Sequence, residues 1–179
     1  MVRKAKEINE QWQKFANQLG ADFKPSSFLH YPKIEGIYEN HQFRLWVAPG
    51  SQYSPPTTNL KINLLNSKRL LFIISTKSFF TRISERFGGQ DLKIGNPEFD
   101  ELFRIKGNVR EQDAWVLIDS SIQRQILSLK EPIKFNVRIK KGFATYWERG
   151  ISKDFEGLKE IFDVLLNITK KAEERYHNY

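Results

Sequence analysis

The chain has 179 residues, 40% of them apolar and 13% aromatic, and its 29 Lys and Arg against 21 Asp and Glu leave a net charge of +8. That length suits one domain with a real core and is short for two, and 14 Phe and 4 Trp supply enough large side chains to offset the entropy of ordering it. The absence of cysteine excludes disulfides, a thiolate nucleophile and Cys-ligated zinc or iron–sulfur centres.

In chain order, the first element predicted is an amphipathic helix over residues 1–19, with Ile8, Trp12, Phe15 and Leu19 on one stripe and Gly20 closing it. Its charges are not followed by the apolar stretch of a secretory signal. The longest apolar run, Leu70 to Ile74, is far short of the roughly 20 residues of a spanning helix. A soluble, cytoplasmic protein with no membrane span is expected. Two extended runs meeting at Glu39, Asn40 and His41 predict a hairpin with Asn40-His41 as its turn, the second run alternating Phe43, Leu45 and Val47 against Arg44 and Trp46. Residues 50–58, with Gly50, Pro55 and Pro56 among small polar residues, predict a loop.

Residues 59–66 and 69–76 predict a second hairpin around Ser67-Lys68, its later strand apolar on both faces and therefore central. Phe79, Phe80, Ile83 and Phe87 recur at helical spacing before Gly88-Gly89. Residues 110–130 predict two helical pieces or one bent helix, with Asp119, Ser120 or Ser121 able to cap the second and Pro132 ending it. A third hairpin follows, Phe135, Val137 and Ile139 pointing one way and Lys134, Asn136, Arg138 and Lys140 the other. Residues 154–174 form the last amphipathic helix, where Val164 and Leu166 widen the apolar stripe enough to offer a partner surface. Hairpins alternating with helices predict a single α+β domain over residues 1–179. Its mainly antiparallel sheet would be covered by helices and bracketed by the N- and C-terminal ones.

Gly95, Asn96, Pro97, Glu98, Phe99 and Asp100 make up the most motif-like stretch. Asn is a favoured N-cap, Pro suits the first helical position, and Glu98 and Asp100 would meet the positive end of the helix dipole. Asp100 and Arg104 stand four apart, the spacing of a helical ion pair. The competing reading, in which Glu98, Asp100 and Glu101 bind Mg²⁺ or Ca²⁺ or act as an acid/base pair, lacks a calcium-loop pattern or a second acidic cluster.

The segment IGNPEFDELFRIKGN, followed by IQRQILSL, resembles a family of uncharacterised bacterial proteins in which Gly-(Asn/Asp)-Pro-Glu-Phe-Asp leads into a short strand and then a helix. FANQLGADF and IEGIYENHQFRL also resemble that family's opening. The resemblance implies a shared fold and no catalytic activity. Many such proteins carry membrane segments beside this domain, whereas this chain has none.

Its three histidines, His30, His41 and His177, are not spaced as metal ligands and read as surface residues. No nucleophile elbow, P-loop or dinucleotide fingerprint occurs, and no cofactor is called for. Positive charge is concentrated instead. Residues 61–94 hold seven Lys and Arg against two carboxylates, and residues 133–150 hold five against one. If both hairpins share a sheet face, Lys61, Lys134, Arg138, Lys140 and Lys141 would line a basic stripe, with Trp147 or Tyr146 near enough to stack on a base. The expectation is a non-catalytic domain that binds a protein or a small ligand, with nucleic acid on the basic faces as the alternative and a sheet-edge homodimer allowed. An enzyme would require Glu98, Asp100 or Asp119 to meet Arg or His in a deep pocket.

Overall fold

The computed structural model describes residues 2–27, 30–65, 69–77 and 90–176. Its helices are α1 (Val2–Leu19), α2 (Pro97–Leu102), α3 (Glu111–Leu117), α4 (Ser120–Ser128) and α5 (Phe155–Arg175), with a 3₁₀ turn at Pro132–Lys134. Its strands are β1 (Asp22–Lys24), β2 (Lys33–Tyr38), β3 (His41–Ala48), β4 (Thr57–Asn63), β5 (Phe72–Thr76), β6 (Gln90–Leu92), β7 (Phe103–Gly107), β8 (Val137–Lys140) and β9 (Phe143–Arg149). They form one sheet in the order β1-β2-β3-β4-β9-β8-β5-β7-β6, antiparallel at each pairing. The chain is thus α+β, as the alternation of hairpins and helices predicts.

Alternation along the strands sends Phe43, Leu45, Leu60, Ile62, Val137, Ile139, Ala144 and Tyr146 to one buried face. Helices α1 and α5 lie together against that face, and α3 and α4 pack on α5. Phe162 of α5 is the centre of the layer. Its ring meets Phe15 of α1 at 5.8 Å, Tyr38 of β2 at 5.6 Å and Phe43 of β3 at 5.0 Å, each edge to face. A second aromatic chain runs from Phe99 through Phe103 and Phe135 to Tyr146, joining α2, β7, the 3₁₀ turn and β9. Trp12 is fully buried, and its indole N–H donates to the Ser152 carbonyl at 3.0 Å.

Two tight turns set the hairpin registers. Glu39 and Asn40 (φ 47° and 67°) join β2 to β3, and Lys141 and Gly142 (φ 56° and 79°) join β8 to β9. Left-handed pairs of this kind match the twist of the flanking strands. The first turn is therefore Glu39-Asn40, not Asn40-His41, and His41 begins β3 opposite Tyr38.

Other expectations are corrected. The segments 59–66 and 69–76 do not form a hairpin: β4 pairs with β3 and β9, β5 pairs with β7 and β8, and the β8–β9 hairpin lies between them. Burial of all five β5 residues agrees with a central strand. Lys134 is not in a strand, because the 3₁₀ turn runs through it and β8 begins at Val137. Val164 and Leu166 are buried, at 3% and 4% exposure, so that side of α5 offers no partner surface. The short strands β1 and β6 carried no sequence signal, and the helical repeat at Phe79–Phe87 lies outside the described residues.

The Gly95–Asp100 segment is a helix start. Asn96 Oδ1 accepts from the backbone of Glu98 at 3.1 Å and Phe99 at 3.3 Å, while its Nδ2 donates to Gln123 Oε1 at 2.8 Å. Asp100 accepts from the backbone N–H of Ile94 and Gly95 at 3.2 and 3.0 Å, and Gly95 takes the left-handed φ of 79° that the entry needs. Since α2 ends at Leu102 and Arg104 lies on β7 opposite Ser75, Asp100 and Arg104 do not share a helical turn.

Phe162→Ala removes the ring shared by α1, α5 and the sheet, and the urea midpoint should fall by the equivalent of about 3–5 kcal/mol. Asn96→Ala, which removes one cap and one link to α4, should cost about 1 kcal/mol in the same assay.

Candidate functional site

The sheet face opposite the helices carries the residues that alternate with the core. One cross-strand row runs Asp22, Glu35, Arg44, Lys61, Thr145, Arg138, Ile73, Lys106 and Asp91, in register over all nine strands. Four cations therefore lie between Asp22 and Glu35 at one end and Asp91 at the other, and Ile73, 4% exposed, separates Lys106 from the other three. Glu35 is close to Arg44 at 3.6 Å and Lys33 at 2.6 Å, and Asp91 to Lys106 at 3.5 Å. Toward the middle, partial burial and then the neighbouring Arg44 hold the Lys61 ammonium below its usual range. Crowded like charges are the electrostatic condition that an incoming anion relieves.

Aromatic and amide side chains border this row on both sides. Trp46, Asn59 and Trp147 are in register on one side, and Phe143 lies between Asn63 and Lys140 on the other. Arg44 lies over Trp46 at 5.0 Å, Lys61 over Phe143 at 3.3 Å and Arg138 over Trp147 at 5.9 Å. Strand spacing puts the two indoles about 10 Å apart. Rings and cations are thus interleaved on one gently twisted surface.

Of the residues predicted to form a basic stripe, Lys61, Arg138, Lys140 and Trp147 do share this face, with Lys141 in the turn at its margin. Lys134 does not. It sits on the 3₁₀ turn at the helix-covered side and pairs with Glu131 at 2.6 Å. Tyr146 also points away from it and is 1% exposed in the core. Arg44, Lys106, Trp46 and Phe143 complete the face, and only the strand order brings them to the others.

This combination of a nine-stranded sheet and helices has a counterpart among solved structures. The crystal structure of the mycobacterial trehalose monomycolate transport factor A, TtfA, superposes with a TM-score of 0.62 over 92% of this chain and 93% of that one, at 7% sequence identity. The likeness is one of fold. No family model and no curated protein matches the sequence.

The acidic residues considered for chemistry are in structural roles. Asp119 caps α4 through the Ser121 and Ile122 N–H groups and pairs with Lys171 at 2.8 Å. Glu98 and Asp100 belong to the helix start. Among the described residues no group of three or more His, Asp or Glu is arranged to hold a metal, and no helix is long and apolar enough to cross a membrane. His41 is not a surface residue: it is 5% exposed, its Nδ1 lies 2.7 Å from the Glu39 carbonyl and its Nε2 2.9 Å from the Glu173 carboxylate. Glu173 is 132 positions away along the chain, so no local pattern could announce the pair.

Sequence reasoning also missed Glu148. It shares the core face of β9 with Tyr146 and lies at the base of a polar cleft bordered by Glu131, Lys134, Ser152 and Asp154. Burial raises its carboxyl above the usual range, against the opposing influence of Tyr146, Ser152 and Lys134. Burial also raises the Tyr146 hydroxyl, with the Glu148 charge adding to it. A folded-state pKa above the ordinary value of 4.5 means that protonated Glu148 favours the fold at low pH, and that this contribution is lost as pH rises through the folded value. Glu148→Gln should therefore gain stability relative to the parent as pH rises above 4.5, read as a widening gap between urea midpoints; parallel profiles would exclude the raised acid.

Proposed function

We propose that this chain is a non-catalytic binding domain that holds single-stranded nucleic acid on the open face of its sheet. The observation that supports it is the registered row Arg44, Lys61 and Arg138 beside Trp46, Trp147 and Phe143. Cations that follow a phosphate backbone and rings that stack on unpaired bases are the two components by which sheet surfaces bind single strands. A duplex would present its phosphates to the row but no base face to the indoles. Single strands are therefore the favoured substrate. Protein or small-ligand binding remains within the broader description of a binding domain, and the likeness to TtfA lends fold alone.

A fluorescence-anisotropy titration with labelled oligo-dT, single-stranded RNA and duplex DNA tests this. Three phosphate contacts predict a slope of log K against log salt of about −2 for single strands, and Arg138→Gln should reduce its magnitude by about 0.7. Trp147→Ala should weaken binding by about 1–3 kcal/mol with the slope unchanged, since it removes stacking and not charge. Equal affinity for heparin, with no effect of Trp147→Ala, would reduce the face to a general polyanion surface. Absence of binding at low salt would end the proposal.

A further inference from the structure

We propose that the polar cleft above Glu148 binds a small zwitterion, a ligand with a primary ammonium at its inner end and a carboxylate at its outer end. The cleft lies between the C-terminal half of α1, the 3₁₀ turn, the end of β9 and the start of α5. It is on the side of the described helices, away from the open sheet face, and is independent of nucleic-acid binding there. Its mouth has a volume of about 610 Å³, within the range of small-molecule sites. A recess of about 60 Å³, room for one small head group, continues inward from it, with Glu131, Lys134, Glu148, Ser152 and Asp154 lining both parts.

Charge is divided between the two parts. Lys14, Arg149 and Lys153 line the mouth alone, against the single carboxylate of Glu156. The recess is walled by Glu131, Glu148, Asp154 and Glu160 against Lys130 and Lys134. Both of those lysines are engaged, Lys130 with Asp154 at 3.2 Å and Lys134 with Glu131 at 2.6 Å. Among the described residues Glu148 and Glu160 have no ion-pair partner, and neither have Lys14, Arg149 and Lys153. An inner excess of negative charge therefore faces an outer excess of positive charge, and a molecule carrying one charge of each sign in the opposite order complements both.

Glu148 is the group the ammonium would meet. Burial raises its carboxyl, and its hydrogen-bond partners, Tyr146 and Ser152, are neutral. Ser152 is a fixed partner, because its N–H donates to the Thr58 hydroxyl at 2.8 Å and its carbonyl accepts from Trp12 at 3.0 Å. A primary ammonium would supply the opposite charge that the recess lacks, and its three N–H donors could be shared among the carboxylates there. The rings of Phe135 and Tyr146, with centroids 5.9 Å apart, form an apolar floor with Leu129 and Ile161. A hydrated inorganic ion gains nothing from such a floor, whereas an alkyl ammonium packs its methylenes against it. Lys130, Lys134 and their carboxylates have an ordinary role as surface ion pairs. Glu148 has none, and a side chain that lowers stability where a neutral amide would not is the pattern of a position kept for binding.

Isothermal titration calorimetry of the whole chain with ε-aminocaproate, pentylamine and caproate tests the site. ε-Aminocaproate should bind saturably, pentylamine several-fold more weakly, and caproate should give no signal. Glu148→Gln, which keeps the side-chain shape and should fold at least as stably as the parent, should weaken both amines by about tenfold or more, the loss of one charge-assisted contact. Lys14→Gln combined with Lys153→Gln should weaken ε-aminocaproate several-fold and leave pentylamine unchanged, since only the former has a carboxylate for the mouth. Pentylamine should also bind more tightly as pH rises above 4.5, as Glu148 ionises. Glu148→Gln should flatten that rise, although Glu131, Asp154 and Glu160 remain in the recess. Arg138→Gln on the open face should leave every value unchanged. No saturable binding of ε-aminocaproate, or binding indifferent to Glu148→Gln, overturns the proposal, and pentylamine binding as tightly as ε-aminocaproate overturns the zwitterion assignment.

Discussion

The insertion of the β8–β9 hairpin between β4 and β5 is the constraint on which the rest of the molecule depends. Without it β1–β4 and β5–β7 would be two small sheets, each with an edge of unpaired backbone groups beside the core. With it, Leu60 meets Tyr146, and Tyr146 and Ile74 both meet Val137, so both halves share one hydrogen-bonded lattice and one buried face. The junction is fastened beyond β9 as well. The Thr58 hydroxyl donates to the Gly150 carbonyl at 2.9 Å and accepts from the Ser152 N–H at 2.8 Å, and the Ser152 carbonyl accepts from Trp12 of α1.

The sheet has one dry face beneath the described helices and one wetter face opposite, itself buried at Ile73 and Ser75 of β5, and the two do different work. The dry face carries stability through Phe162, Tyr146 and Phe135, whose rings bridge helices and strands. The wet face collects what the pleat sends outward from both halves, and strand order decides the pattern there. Arg44 and Lys61 come from the first half, Lys106 from the second and Arg138 from the inserted hairpin, yet they fall in one row. Carboxylates stand at both ends of the row, Asp22 and Glu35 at one and Asp91 at the other.

The carboxylates away from that row show how environment divides one functional group into separate roles. Asp100, Asp119 and Asp154 accept from backbone N–H groups at helix starts, where negative charge meets the positive end of the dipole. Asp113 is pinned by two arginines and stays ionised. Glu148, partly buried beside Tyr146, is pushed toward its neutral form. Position in the tertiary structure, not residue type, separates these cases.

Local physics was enough for the elements whose chemistry lies within a few residues. The 3.6-residue stripes of α1 and α5, the Asn96-Pro97 cap, the Asp119 cap, the loop around Pro55-Pro56 and the alternation of β3 and β8 are legible because each depends on near neighbours. So is the α+β class, which follows from hairpins alternating with helices. What the sequence could not decide is which strand lies beside which, since β4 would satisfy its backbone equally well against β5 or β9. That choice set Arg44 and Lys61 in one row with Arg138, while the 3₁₀ turn took Lys134 off the basic face and the packing of α5 on the sheet joined His41 to Glu173. Charge and periodicity are properties of the chain, whereas a site is a distance between residues far apart in it, and only the packed sheet sets those distances.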